Sequence, residues 1–219
     1  MALRNISASI LALCVAACMK PAPPPHDIPS ASMLQPTPDG SVVRYISSNA
    51  DFRRYDSVFI EPVRIYLGAA GRFNVGIDER NEVALFMQSE FTRVLGEAVP
   101  LAEAPGPNTM RLRLILVGLR GTQPLLATSS HLSIGGMALN IWRTLTGGNG
   151  LYMGSVAYLA EFYDGEEETL LAAMQSERAA HALDFSEDIT ALGSAKVGVA
   201  KGARHMRDAL ATLQSAPRF

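Results

Sequence analysis

Residues 155–177 read Ser155-Val-Ala-Tyr-Leu-Ala-Glu-Phe-Tyr-Asp164-Gly-Glu-Glu-Glu-Thr169-Leu-Leu-Ala-Ala-Met-Gln-Ser-Glu177. Two largely apolar runs, 155–163 and 169–177, flank Asp164-Gly165, a strong turn dipeptide extended here by three glutamates. The spacing predicts an antiparallel hairpin with Glu166, Glu167 and Glu168 as a solvated tip. Further upstream, residues 109–119 set Leu112 and Leu114 against Arg111 and Arg113, as expected of a strand with one wet face. A further strand is expected over residues 55–67, where β-branched and aromatic residues nearly alternate; Pro62 cannot donate to a ladder and argues for an edge or a bulge.

Two helices complete the pattern. Asp78 reads as an N-cap, Val83, Phe86, Met87, Phe91, Val94 and Leu95 follow at helical spacing as a core stripe, and Gly96 can end the helix. Residues 186–213 place Leu192, Val199, Ala203, Met206, Leu210 and Leu213 three and four residues apart, with Gly198 and Gly202 one turn apart where the backbone can approach the sheet closely. Asp184, Glu187 and Asp188 supply favourable charge at the start of that helix. The order strand, helix, strand, irregular stretch, hairpin, helix predicts an α+β fold: a mostly antiparallel sheet with two main helices packed on one face. It leaves room for a parallel pair flanking the first helix.

The N-terminus has a different character. Arg4, an apolar run over residues 6–17 and Ala16-Ala17 before Cys18 supply the basic, apolar and small-residue parts of a secretory signal. The run is too short for the ~20 apolar residues that a permanent span needs. This segment resembles a bacterial lipoprotein signal, which implies cleavage after residue 17 and lipidation of Cys18, with the membrane as a partner through the acylated residue. Met19 stands where aspartate would favour inner-membrane retention, so the resemblance implies the outer membrane, with the domain facing the periplasm.

Residues 18–40 hold most of the thirteen prolines and read as an extended spacer outside any packed core. His26 belongs to this linker. Residues 41–219 then form a single domain, 48% hydrophobic content being ample for one core. Loss of residues 1–17 removes Arg4 and moves the formal charge from −2 to −3, which suggests no nucleic-acid partner. Cys14 and Cys18 are the two cysteines, so the mature domain keeps no free thiol for disulfides, nucleophilic catalysis or thiolate-bound metal.

No motif carries chemistry. The glycines at 147, 148, 150 and 154 lack the lysine of a phosphate-binding loop, and Ser155 lacks the second glycine of a nucleophile elbow. His131, His181 and His205 lie on three separate elements with no ligand-pair spacing, and no cofactor or metal is called for. Residues 125–151 contain the one tryptophan, almost no charge and glycines near both ends. Long uncharged insertions are usually functional or mobile. The segment either covers the core or forms a partner or lipid contact through Leu132, Ile134, Met137, Ile141, Trp142 and Leu145.

Residues 55–63 (Tyr-Asp-Ser-Val-Phe-Ile-Glu-Pro-Val), Arg111-Leu-Arg-Leu-Ile-Leu116, Gly154-Ser-Val-Ala157, Asp164, Leu171-Ala-Ala173 and the final helix after a lipobox resemble the uncharacterised proteobacterial lipoproteins of domain of unknown function 3313. The similarity spans most of residues 45–213 and departs from the family's turn pattern at residues 164–169. It implies an envelope lipoprotein with a compact periplasmic domain and brings no catalytic residue. The expected role is a non-catalytic envelope assembly or transport accessory or binding module, with an envelope protein or lipid as partner. The alternative is an envelope hydrolase whose site converges only in the fold.

Overall fold

The computed structural model describes residues 24–37, 42–121, 155–179 and 192–215. Along the chain come a 3-10 turn (Pro29–Met33), β1 (Gln35–Pro36), β2 (Val43–Ile46), a second 3-10 turn (Phe52–Arg54), β3 (Ser57–Ile60), β4 (Arg64–Ile65) and β5 (Arg72–Phe73). They are followed by α1 (Ile77–Gly96), β6 (Thr109–Arg120), β7 (Ser155–Asp164), β8 (Leu170–Ala179) and α2 (Gly193–Ser215). The strands form one sheet in the order β1-β2-β8-β7-β6-β3, with β4 and β5 continuing along the β6 edge.

The hairpin forms as its turn chemistry predicts, β7 pairing antiparallel with β8 from Ser155 opposite Ala179 to Tyr163 opposite Leu170. β6 pairs antiparallel with β7 on the other side. β3, β4 and β5 all run parallel to β6, so the chain between them and β6 must cross over, and α1 makes that crossing. The edge is broken after Ile60, and exposed Pro62 lies in the gap between β3 and β4. A residue without an N–H is tolerated there because the edge needs no donor.

Both helices pack on one face. α1 and α2 lie against each other, and Val83, Met87, Phe91, Ala195, Val199 and Met206 join Leu112, Leu114, Tyr158 and Ala160 in one core cluster. Phe91 meets Tyr158 edge to face at a centroid distance of 5.6 Å, a geometry worth about 0.5–1.5 kcal/mol beyond burial. Gly202 lets α2 settle on this ring, since a Cβ there would stand 2.2 Å from the Tyr158 hydroxyl. The first helix starts differently from expectation. Gly76 is its N-cap and makes no side-chain cap bond, while Asp78 lies in the first turn, where its charge suits the helix dipole.

The opposite face of the sheet is covered as well. Ile28, Ala31 and Leu34 are buried against Val43, Ile115, Val117, Ala157, Leu159 and Ala173 in a second cluster. The expectation that residues 18–40 stay outside any packed core is therefore corrected over residues 28–36: the 3-10 turn packs, and β1 pairs with β2. A 3-10 helix has three residues per turn, so positions 28, 31 and 34 share one face despite the surrounding prolines.

Candidate functional site

The second face carries the densest polar cluster among the described residues. Strand alternation puts Arg111 and Arg113 of β6, Glu161 and Tyr163 of β7, and Glu61 just beyond β3 on the side away from the helices. The arginine face expected to be wet is not wet: Arg111 is 9% exposed, Glu61 7% and Glu161 2%. Burying such charges is favourable only when they neutralise one another at close range.

They do so around Glu61. Arg113 donates from Nε to Glu61 Oε2 at 3.0 Å and from Nη2 to Oε1 at 3.2 Å, a two-pronged grip. Arg111 Nε lies 3.0 Å from the same Oε1, and Arg64 Nη2 donates to Oε2 at 3.2 Å. Arg113 Nη1 is 3.6 Å from Glu161 Oε2, whereas Glu161 Oε1 is buried with no hydrogen-bond partner among the described residues. The Tyr163 ring lies under both guanidiniums, 5.5 Å from Arg111 and 4.9 Å from Arg113. Burial, then the nearby Glu161 carboxylate, pushes the Tyr163 phenol up to about 12, with Arg113 opposing.

The hairpin tip closes the cluster. Glu168 adopts φ 56°, a left-handed conformation costing roughly 1–2 kcal/mol for a residue with a Cβ. It accepts from Arg111 Nη1 at 2.8 Å, and this contact holds its carboxyl below the usual range. The three tip glutamates are exposed, as expected, and one of them, Glu168, also ties the tip to the sheet.

A second polar knot lies at the same turn. Asp164 Oδ1 accepts from the backbone N–H groups of Glu166 and Glu167 at 2.9 and 2.8 Å, while Oδ2 accepts from the Tyr55 hydroxyl at 2.8 Å and Arg54 Nη2 at 2.9 Å. Burial pushes this carboxyl up, but the Glu167 N–H, Tyr55, the Glu166 N–H and Arg54 outweigh it and leave the group below its ordinary value. The second 3-10 turn is thereby fastened to the hairpin.

Chemically, the Asp164 knot has both carboxylate oxygens satisfied, whereas the Glu61 cluster pairs its charges but leaves Arg111 Nε and Glu161 Oε1 buried without a hydrogen bond among the described residues. Carboxylates are matched by guanidiniums and a protonated phenol, an arrangement that fixes strand register and turn conformation. At the far end of the sheet, Arg72, Gly118, Leu119, Arg120, Ser155, Ala157 and Glu177 line a cavity of about 10 Å³, room for one water. Among the described residues, no group of three His, Cys, Asp or Glu is placed to hold a metal, and no helix is long and apolar enough to cross a membrane. His26 and His205 are exposed. Cys18, Leu132, Ile134, Met137, Ile141, Trp142 and Leu145 lie outside the described residues, as do His131, His181, Asp184, Glu187 and Asp188.

Glu61, Glu161 and Tyr163 belong to no sequence motif. The signal for the two glutamates is one acid inside each of the largely apolar stretches 57–63 and 155–163, alongside a strand with two arginines.

The strand and turn residues that build these knots fall within a match to the family model "Protein of unknown function (DUF3313)", which covers residues 25–206. The chain belongs to this family. The match begins where the N-terminal 3-10 turn joins the domain, so the family unit includes the segment that covers the second face. No curated protein matches. Among solved structures, the PelC dodecamer from Paraburkholderia phytofirmans is similar at 14% identity and a TM-score of 0.40, over 75% of this chain and 97% of that one. The hypothetical protein CT253 from Chlamydia trachomatis is similar at 10% identity and a TM-score of 0.43, over 74% and 99%. Protein XCC0632 from Xanthomonas campestris, of family DUF330, is similar at 8% identity and a TM-score of 0.41, over 77% and 92%.

Proposed function

We propose that this member of the DUF3313 family is a lipid-anchored envelope protein, held in the outer membrane through Cys18 and facing the periplasm, whose domain is a non-catalytic binding or assembly module. The observation that carries the non-catalytic part is the Glu61 cluster. Its arginines and carboxylates pair with one another, Arg113 gripping Glu61 through two nitrogens, and the Tyr163 phenol is pushed up to about 12, far from neutral pH. Support for the anchor comes from the sequence alone, in the lipobox-like Val15-Ala-Ala-Cys18.

In this reading the apolar side chains Leu132, Ile134, Met137, Ile141, Trp142 and Leu145 meet a partner of the envelope, a protein or lipid surface. Metabolic labelling with an alkyne fatty acid tests the anchor: Cys18→Ser abolishes labelling and Cys14→Ser does not. Retention of label on Cys18→Ser overturns it. A photocrosslinker at position 142 in intact cells tests the contact, a discrete crosslinked species supporting it and uncrosslinked monomer opposing it. Hydrolysis of an envelope ester, amide or glycan by the purified protein would favour the enzyme alternative instead.

A further inference from the structure

We infer that the loop between β4 and β5 is a lipid-contacting surface that dips into the headgroup region of the membrane holding Cys18. The inference rests on the anchor proposed above and adds which part of the domain meets the bilayer. Residues 65–71 read Ile-Tyr-Leu-Gly-Ala-Ala-Gly, without a charge. Leu67 is 81% exposed, the most exposed large apolar side chain among the described residues, and Ala69 and Ala70 are exposed beside it. A single exposed leucine is ordinary on a protein surface. Its position is what distinguishes this one.

The loop is fastened to the first packed residues of the domain. Tyr66 Oη donates to Asp27 Oδ1 at 2.5 Å, and Tyr66 packs on the cluster of Ile28, Ala31 and Leu34. Gly68 is so close that a Cβ there would lie 2.9 Å from Asp27 Oδ2. Asp27 follows Cys18 by nine residues and Pro24 follows it by six. At ~3.3–3.6 Å per residue, six residues span at most ~22 Å, less than the ~30 Å thickness of a bilayer's hydrocarbon core. An acylated Cys18 therefore keeps this corner of the domain close to the lipid surface, with Leu67, Ala69 and Ala70 the apolar groups beside it. Arg64, in β4, bonds Glu61 through Nη2 alone and has a side chain 60% exposed, so its remaining donors suit anionic headgroups, and tyrosine rings such as Tyr66 favour this interface.

The full, lipidated chain tests the inference. Its mature form has no thiol other than the blocked Cys18, so Leu67→Cys carries a single bimane label; Leu85→Cys, 72% exposed on α1 across the sheet, is the comparison. Each is reconstituted in phosphatidylethanolamine/phosphatidylglycerol vesicles containing doxyl-labelled lipid. The expected result is several-fold stronger quenching at position 67 than at position 85. Equal quenching on protein whose intact mass includes the acyl chains overturns the loop contact and leaves the anchor standing. An intact mass without acyl chains overturns the anchor, and the loop contact with it.

Discussion

The hydroxyl of Tyr158 fills the space that any side chain at position 202 would need, a Cβ on Gly202 falling 2.2 Å from it. Tyr158 is 1% exposed in the centre of β7 and its ring is braced by Phe91, so it cannot swing aside. Alanine in place of glycine gains up to ~1 kcal/mol of helix propensity, but overpacking a filled core loses about 1–3 kcal/mol.

Gly202→Ala is therefore expected to lower stability on balance. At this chain length each 1 kcal/mol moves the thermal midpoint by ~2–4 °C. The double variant Gly202→Ala/Tyr158→Phe is expected to show non-additivity, because the 2.2 Å contact goes with the hydroxyl and leaves the nearest ring carbon at 3.0 Å. Additive losses in the thermal melts would mean that α2 shifts rather than strains.

Glu61→Ala is expected to be among the most damaging single changes, since it removes the carboxylate that Arg111 and Arg113 share on a buried face and leaves them only Glu168 and the more distant Glu161. Removing one partner of a buried ion pair costs about 3–5 kcal/mol. Arg64, although it touches the same carboxylate, is 60% exposed, and Arg64→Ala should change stability by no more than ~1 kcal/mol. Urea unfolding of the two variants checks the contrast.

Asp164 ties acid sensitivity to the hairpin turn. Its carboxyl titrates below the ordinary 3.8 in the folded chain, so the folded state favours its ionised form. The stability this contributes is complete above the unfolded value and is lost as pH falls through the folded one. Asp164→Asn should flatten the decline in stability below pH ~4 while lowering stability at pH 7. Denaturant midpoints measured from pH 7 to pH 2.5 provide the comparison.

The packed N-terminal segment makes an opposite prediction for its two halves. Leu34→Ala empties a site buried against Ile115 and Leu159 and should cost about 2–5 kcal/mol. Replacing residues 19–23 with serine and glycine should leave the melt unchanged. Equal effects would show that both halves are bound, or neither.

The parts of the fold that were legible in the sequence are those specified locally. The β7–β8 hairpin is announced by its own turn, and α1 by a stripe of which Val83, Met87, Phe91, Val94 and Leu95 are buried. A parallel pair flanking the first helix was one possibility the element order allows, and β3 and β6 form it. What was misread depends on distant partners. Arg111 and Arg113 look solvated until Glu61, some fifty residues away, folds over them. The period-three pattern of Ile28, Ala31 and Leu34 is masked by prolines that suggest an extended spacer. Of the candidate sites, Cys18 and the side chains around Trp142 were legible only as sequence, whereas the ion network could be assembled only from the fold.

The interrupted edge of the sheet has a further consequence. β6 runs for twelve residues and, left uncovered, would present a long row of unpaired backbone groups able to template another chain. Instead its flank is occupied by strands of four, two and two residues, with Pro62 between the first two. The opposite margin ends in the two-residue β1. Fragmented borders of this kind give an incoming strand no continuous register to copy, which protects the domain from fibrillar self-association when many copies are crowded together.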